Sequence, residues 1–185
     1  MKHFLLTVAA VASICVTACA QKEERTDMNT QRTLVAYFSA TGTTARVAHE
    51  IADVTDGELF RIDPQTPYSD ADLNWNNPQS RSSVEMGDPQ SRPAIKADKE
   101  NIAEYDTIFI GYPIWWDLAP RVVNTFIESH DLAGKILIPF ATSGSSGIGN
   151  SVAALKKEYP NLHWEKGRLL NHANRSTIKE WIEKL

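Results

Sequence analysis

The sequence predicts one α/β domain in which helices cover both faces of a parallel β-sheet. Three segments, 34–38, 108–110 and 136–138, are continuously apolar instead of alternating, as expected of strands that are buried on both faces. Helical patterns of apolar residues lie between these segments. Because parallel strands need crossover connections, this alternation is typical of a three-layer sandwich, and 185 residues with 42% hydrophobic content suffice for one core.

Four helices are predicted from apolar positions spaced three and four residues apart. Pro120 suits the first position of the second helix, and Pro160 ends the third helix. In the last helix, Thr177 and Glu180 have the spacing of a capping box. The apolar positions, in chain order, are Ala48, Ile51 and Ala52; Val122, Val123, Phe126 and Ile127; Val152, Leu155 and Tyr159; and Ile178, Trp181, Ile182 and Leu185.

Two weaker strand patterns, at 58–62 and 163–170, complete a set of five βα units. Pro139 follows the apolar segment of the fourth strand and lacks the N–H that a sheet ladder needs. We therefore expect an irregularity of the sheet at this proline.

Residues 64–97, between the second and third strands, contain five prolines and few apolar residues. A structureless loop of this length is unusual in a compact domain, so we expect short helical turns near 70–76 and 80–86, laid over the sheet edge. Tyr68 and Trp75 lie in this insertion. They either pin the insertion by packing or cap a ligand site.

The composition excludes several kinds of site. A formal charge of −4 supplies no basic field for a nucleic-acid backbone, so nucleic acid is not expected as a partner. Both cysteines, Cys15 and Cys19, precede the predicted domain at 33–185. Disulfides, thiol catalysis and cysteine metal sites are therefore not expected in that domain, and no metal site is predicted.

The N-terminal residues have the pattern of a secretory signal. Lys2 precedes an apolar run over 4–16 that ends in small residues, and this run is too short for a spanning helix. The ending Val-Thr-Ala-Cys at 16–19 resembles the lipobox of bacterial lipoproteins. We expect a signal peptide at 1–18 and a lipidated Cys19 that begins a flexible tether at 19–32, which together imply an exported protein held on the periplasmic or cell-surface side by its lipid anchor only. The alternative is a simple signal peptide with an accidental cysteine.

The loop after the first strand has the character of a phosphate site. Residues 39–44 read Ser-Ala-Thr-Gly-Thr-Thr and open the first helix. Four hydroxyls, a glycine and the free N–H groups of a helix start can surround a phosphate, and the helix dipole favours its negative charge. The absence of lysine from the loop departs from the P-loop pattern and suits a bound phosphate monoester. A Ser/Thr-rich turn with an N-cap is the alternative.

Two further loops follow the third and fourth strands. Residues 111–116 read Gly-Tyr-Pro-Ile-Trp-Trp, and residues 142–150 are rich in glycine and serine. The tryptophans offer flat π surfaces, and the glycines allow close backbone approach to a polar edge. Since loops at the carboxyl ends of parallel strands converge, we expect a site for a phosphate at one end and a flat heterocycle at the other.

With these three loops in this order, residues 33–185 resemble the flavodoxin family, and Tyr-Phe-Ser-Ala-Thr-Gly-Thr-Thr at 37–44 is similar to its FMN-phosphate signature. The resemblance implies a flavodoxin-like three-layer sandwich with a five-stranded parallel sheet of order 2-1-3-4-5 and bound FMN. It also implies a role for each of the following residues: Ser39, Thr41, Gly42, Thr43 and Thr44 on the phosphate; Pro113, Ile114, Trp115 and Trp116 on the isoalloxazine ring; and Ser143, Gly144, Ser145 and Gly147 on its pyrimidine edge.

In members of the flavodoxin family, one peptide of the loop after the third strand flips, and this flip commonly needs a residue with positive φ. Residues 113–120 contain no glycine here. Most other residues adopt positive φ only at a cost of about 1 kcal/mol or more. We therefore expect Asp117 to tolerate this conformation and Trp115 and Trp116 to avoid it.

The resemblance implies electron transfer or reductase activity. We expect an FMN-binding redox protein that carries electrons between partner proteins or to a small acceptor. An FMN-dependent NAD(P)H or quinone reductase is one alternative. A tethered interaction module without flavin is another.

Overall fold

The computed structural model describes residues 32–185, which form a three-layer sandwich around a six-stranded, fully parallel sheet. The strand order β2-β1-β3-β4-β5 confirms the predicted topology, and β6 also pairs with β4. The strands are β1 (Thr33–Tyr37), β2 (Glu58–Arg61), β3 (Thr107–Pro113), β4 (Ile136–Thr142), β5 (His163–Trp164) and β6 (Arg168–Leu169).

Helices pack on both faces of this sheet because the central strands bury side chains on both sides. Val35 of β1 belongs to the apolar cluster that contains Ile51, and its neighbour Leu34 belongs to the opposite cluster, which contains Phe126. A 3₁₀ turn (Ile102–Glu104) precedes β3. The helices are α1 (Thr43–Thr55), α2 (Arg81–Gly87), α3 (Arg121–Glu128), α4 (Gly149–Glu158) and α5 (Arg175–Ile182).

The fifth strand is interrupted. The predicted strand at 163–170 forms two short strands, β5 and β6, that pair with opposite ends of β4. The carbonyls of Leu137 and Ala141 accept hydrogen bonds from amides of this segment, both at 2.8 Å. Since Pro139 lies midway between these two residues, its missing N–H falls on the same side of β4. The predicted irregularity is confirmed in the pairing beside Pro139, where the neighbouring strand is interrupted, while β4 itself is continuous.

Two helix starts differ from their sequence predictions. The capping box predicted for Thr177 and Glu180 is wrong, because α5 begins three residues earlier with Asn174 as its N-cap. The Asn174 side chain accepts a hydrogen bond from the Thr177 N–H at 3.0 Å, and Thr177 Oγ1 accepts one from the Asn174 N–H at 3.1 Å. Pro120 is the N-cap of α3, one residue before the predicted position.

The insertion between β2 and β3 has the short helical elements that its sequence predicts. Turns occupy residues 70–73, 75–76 and 78–79, and α2 follows. Arg92 anchors the insertion to α3 and α4 through ion pairs with Glu128 at 2.8 Å and Glu158 at 2.7 Å. Arg121, at the start of α3, donates to the carbonyl of Met86 at 3.2 Å. The insertion is thereby fixed to the helical layer.

The predicted signal peptide at 1–18, Cys19 and the tether up to residue 31 lie outside the described residues. Within 32–185, none of the helices has both the length and the apolar character needed to span a bilayer.

Candidate functional site

The three loops singled out in the sequence meet at one edge of the sheet, because β1, β3 and β4 are neighbours and run in the same direction. Two clefts open among them. The inner cleft, about 540 Å³, is lined by Thr41, Thr43, Pro113, Ile114, Trp115, Thr142, Ser143, Gly144, Asn171 and His172. The outer cleft, about 490 Å³, is lined by Leu73, Trp75, Ser82, Ile114, Trp115, Trp116, Asp117, Ser143, Gly144, Ser145 and Ser146.

The first loop presents the start of α1 to the inner cleft. Gly42 precedes the helix with φ of 90°, a conformation that glycine adopts without strain. Ser39 Oγ accepts a hydrogen bond from the Gly42 N–H at 3.1 Å, which closes the turn. Because glycine has no capping side chain, the first-turn amides of α1 have no side-chain partner at the N-cap. Thr41 and Thr43 are exposed beside this helix start.

Thr44 connects the first loop to the end of β4. Its side chain is 1% exposed, and its Oγ1 lies 2.9 Å from Oγ1 of Thr142 in a buried hydrogen bond. This contact fixes the spacing between the start of α1 and the third loop.

The second loop turns sharply without glycine. The Trp115 N–H donates to the Leu118 carbonyl at 3.0 Å, and the Leu118 N–H donates to the Trp115 carbonyl at 2.9 Å. The two residues between them, Trp116 and Asp117, have φ of 45° and 66°. Positive φ at both central residues is the signature of a type I′ turn. The expectation that Trp116 avoids positive φ is therefore wrong, whereas Asp117 adopts it as expected.

Aromatic contacts hold Trp115 in place. Its ring makes edge contacts with Phe38 at 5.5 Å and with Tyr68 of the insertion at 5.2 Å between centroids. Tyr68 donates its hydroxyl proton to the Glu85 carboxylate, and the Arg81 guanidinium lies 4.1 Å over its ring. Burial, with Glu85 nearby, raises the pKa of the Tyr68 phenol far above its ordinary value, so the phenol stays protonated.

The third loop is folded by its own first serine. Ser143 Oγ accepts hydrogen bonds from the N–H groups of Ser145 at 3.3 Å and Ser146 at 2.9 Å. Asn171, which follows β6, accepts a hydrogen bond from the Ser143 N–H and donates one to the Ser143 carbonyl, both at 2.7 Å. The loop is thus clamped to the segment after the fifth strand.

A sequence model of flavodoxin matches residues 32–185. The chain belongs to the flavodoxin family. Two solved structures, described as candidate flavoproteins from Bacteroides eggerthii and Bacteroides uniformis, are 61% and 59% identical to it, both with a TM-score of 0.81. Each match covers 83% of this chain and, respectively, 96% and 98% of those chains.

A more distant solved structure is a flavoprotein from Lactobacillus acidophilus NCFM in complex with FMN, which is 22% identical with a TM-score of 0.66. The match covers 82% of this chain and 99% of that one, and it concerns the fold. No curated protein matches the chain.

Most residues that the flavodoxin resemblance singles out line the two clefts. Four of them line neither: Ser39, Gly42 and Thr44 shape the first loop from within, and Gly147 lies farther along the third loop. Their contacts with a cofactor stay predictions. The cleft-lining residues of the set are Thr41, Thr43, Pro113, Ile114, Trp115, Trp116, Ser143, Gly144 and Ser145.

Sequence reasoning missed the contribution of the loop that follows β6. Asn171 and His172 line the inner cleft in this flavodoxin-family chain, although they follow a strand whose pattern is weak. The rule that loops after parallel strands converge applies to this loop too and would have included it. Leu73 and Ser82, from the insertion, have no comparable signal in the sequence.

Proposed function

We propose that the protein binds FMN noncovalently in the inner cleft and carries electrons between redox partners. One observation carries the proposal: the inner cleft joins an uncapped helix start with two threonines to an indole and the Ser143–Gly144 backbone. A phosphate and a flat polar ring are the two ends of FMN, so the residues present fit this group.

The phosphate end of the cleft offers neutral donors. Thr41 and Thr43 present hydroxyls, and the first-turn amides of α1 bring the positive end of the helix dipole. Among the described residues, no lysine or arginine lines this cleft, and His172 is its one titratable group. Binding of the phosphate therefore depends on hydrogen bonds more than on an ion pair.

The ring end offers an aromatic surface and a polar backbone edge. Pro113, Ile114 and Trp115 line the inner cleft beside Ser143 and Gly144, whereas Trp116 and Ser145 line only the outer cleft. A flavin ring that contacts this whole set would therefore extend past Trp115 into the outer cleft. FMN supplies one- and two-electron redox chemistry when bound. The chain's own contribution is to hold the ring against Trp115, which Phe38 and Tyr68 keep in position. The FMN complex of the Lactobacillus flavoprotein, which shares the fold, supports this proposal.

Removing the phosphate donors tests the proposal. In the variant that combines Thr41→Ala and Thr43→Ala, each lost hydrogen bond costs about 1–3 kcal/mol if the phosphate oxygen is left unpaired, so FMN affinity falls at least tenfold. Titration of the apoprotein with FMN, followed by flavin fluorescence, measures the change. Thr66→Ala, an exposed threonine of the insertion, is the matched control. Unchanged affinity in the double variant contradicts the placement of the phosphate at Thr41 and Thr43. Absence of FMN binding by the wild type contradicts the proposal as a whole and favours a flavin-free interaction module.

A second candidate function is that of an FMN-dependent NAD(P)H or quinone reductase. The outer cleft favours it, because the exposed indoles of Trp75 and Trp116 leave an aromatic surface beside the proposed flavin ring that suits a small aromatic acceptor. Reduction of a small acceptor by the photoreduced, FMN-loaded protein at a rate that saturates with acceptor concentration supports the reductase. A rate that rises linearly without saturation supports the carrier.

We also propose that the protein is exported and held at a membrane by a lipid on Cys19, with redox proteins or a small acceptor as partners. The apolar run at 4–16 and the lipobox-like ending at 16–19 support this location.

A further inference from the structure

His172 brings to the inner cleft a side chain that can gain a positive charge. It is exposed, and it lines the cleft together with Thr41 and Thr43, the two threonines of the phosphate end. Within the part of the chain that the structure describes, no other titratable side chain lines this cleft. Histidine is the side chain whose charge ordinarily changes between about pH 5 and 8. A positive charge on the wall of this cleft therefore depends on His172 and on the pH.

Arg46 of α1 fixes the backbone on both sides of His172. Its guanidinium donates one hydrogen bond to the carbonyl of Asn171 and one to the carbonyl of Ala173, both at 3.2 Å. The planar, forked guanidinium suits two acceptors at fixed positions. Because Arg46 lies about one turn after Thr43 in α1, this contact holds His172 beside the helix start, which is the phosphate end of the cleft.

Asn171 ties the same segment to the third loop. Its side chain accepts a hydrogen bond from the Ser143 N–H and donates one to the Ser143 carbonyl, both at 2.7 Å. His172 therefore lies between two anchors, α1 on one side and the third loop on the other. Such a segment is pre-organised, which lowers the entropy lost when a ligand binds.

The charges near this position favour an anion. Arg46 contacts the segment directly and is itself positive. Arg175, at the start of α5, is paired with Asp53 at 3.3 Å. The first, second and third loops contribute no carboxylate to the lining of the inner cleft. A phosphate beside His172 would therefore meet no negative side chain among the described residues that line this cleft.

We propose that His172 selects FMN over riboflavin, by donating a charge-assisted hydrogen bond from its protonated ring to the phosphate that riboflavin lacks. This inference rests on the proposed function and deepens it. The threonine hydroxyls and the α1 amides are neutral and act at every pH, whereas the contact with His172 gains its charge only as the pH falls. A phosphate monoester keeps at least one negative charge throughout this range, since only its second ionisation, at about pH 6, lies within it. Arg46 acts as a positioning residue for His172.

The test compares the binding of FMN and of riboflavin to the apoproteins of the wild type and His172→Gln at pH 6.0 and pH 8.5, followed by flavin fluorescence. Glutamine retains a hydrogen-bond donor but cannot gain a charge. At pH 6.0, His172→Gln is expected to weaken FMN binding about tenfold, and at pH 8.5 its FMN affinity stays within about twofold of the wild type. Riboflavin affinity should change less than about twofold at either pH.

His163→Gln is the matched control. The His163 side chain is 63% exposed, and it lines neither cleft. It pairs with the first residue of β4, whereas the three loops lie at the carboxyl end of the sheet. Its loss should leave the affinity for both flavins unchanged at both pH values.

The possible failures are distinguishable. Equal loss of FMN and riboflavin affinity in His172→Gln means that His172 faces the ring instead of the phosphate, and it refutes the inference. An FMN loss of the same size at both pH values, or no loss at either, refutes the role of its charge. In each of these cases the wild type still binds FMN, so the proposed function stands. Absence of FMN binding by the wild type refutes the proposed function and this inference together.

Discussion

At the scale of single residues, the turn from Trp115 to Leu118 is the most strained feature of the site. An L-residue in the left-handed region costs about 1–2 kcal/mol, and Trp116 and Asp117 both adopt it. The paired hydrogen bonds between Trp115 and Leu118 hold the turn closed. The strain is located where the second loop meets both clefts, as is common at functional sites. As a result of this turn, Trp115 lines both clefts and Trp116 lines only the outer cleft.

A pair of substitutions measures this strain. Trp116→Gly and Trp116→Ala both remove the indole, but only alanine retains the cost of positive φ. The glycine variant is expected to be more stable by about 0.5–1 kcal/mol, since glycine's greater unfolded-state entropy offsets part of the relief. Urea denaturation of the FMN-free proteins gives the difference in free energy of unfolding.

Leu118 supplies the control for this pair, because its φ is not positive. There the order should reverse, with Leu118→Ala more stable than Leu118→Gly by about 0.5–1 kcal/mol. If alanine is the more stable residue at both positions, the turn at 116 is not strained in solution.

At the scale of elements, apolar periodicity was sufficient for the central strands and for the helices that cover them. It did not predict that the fifth strand divides into β5 and β6. The irregularity expected at Pro139 lies in the pairing of this adjacent strand, around residues 165–167, while β4 itself is continuous. Apolar periodicity also failed at α5, because Asn174 competes with Thr177 as the N-cap and only the preceding backbone decides between them.

The insertion is held to the helical layer by a network that titrates. Arg92 makes a bidentate pair with Glu128, with both nitrogen–oxygen distances at 2.8 Å, and Tyr159 donates to the same carboxylate at 2.7 Å. The Arg92 guanidinium, helped by the Tyr159 hydroxyl, lowers the pKa of Glu128 below its ordinary value. Because the folded state favours the carboxylate, this stabilisation is present above the unfolded pKa and is lost as the pH falls through the folded one.

Glu128→Gln should therefore cost about 1 kcal/mol of unfolding free energy at pH 7, the usual size for a partly exposed pair, and clearly less at pH 3, which lies below the unfolded pKa. Urea denaturation at the two pH values measures both differences. Glu180→Gln, which changes an exposed carboxylate of α5, should show only a small difference at either pH. A cost for Glu128→Gln that does not change with pH contradicts the role assigned to its charge.

At the scale of the whole molecule, the sequence predicted those parts of the site whose residues are consecutive in the chain. Each of the three loops reads as a motif because its residues are consecutive and follow an apolar strand. The outer cleft does not, since Leu73 and Trp75 reach it only through an insertion whose path depends on long-range contacts. Arg92 pairs with Glu128 and Glu158, and Arg121 donates to the carbonyl of Met86. Long-range packing of polar segments leaves no periodic pattern in a sequence.

The last prediction is that the molecule is attached to a membrane, and this attachment requires the sulfur atom of Cys19. More than one acyl chain is needed for stable anchoring, since each buried methylene contributes only about 0.8 kcal/mol, and a lipobox cysteine is where such chains are joined. The wild type should enter the detergent phase on phase separation of cell extracts, and Cys19→Ser should remain in the aqueous phase. Cys15→Ser is the control, because Cys15 lies within the apolar run and should be removed with the signal peptide. A Cys19→Ser protein that is cut at the same place and still enters the detergent phase would show that the anchor is something other than a lipid on Cys19.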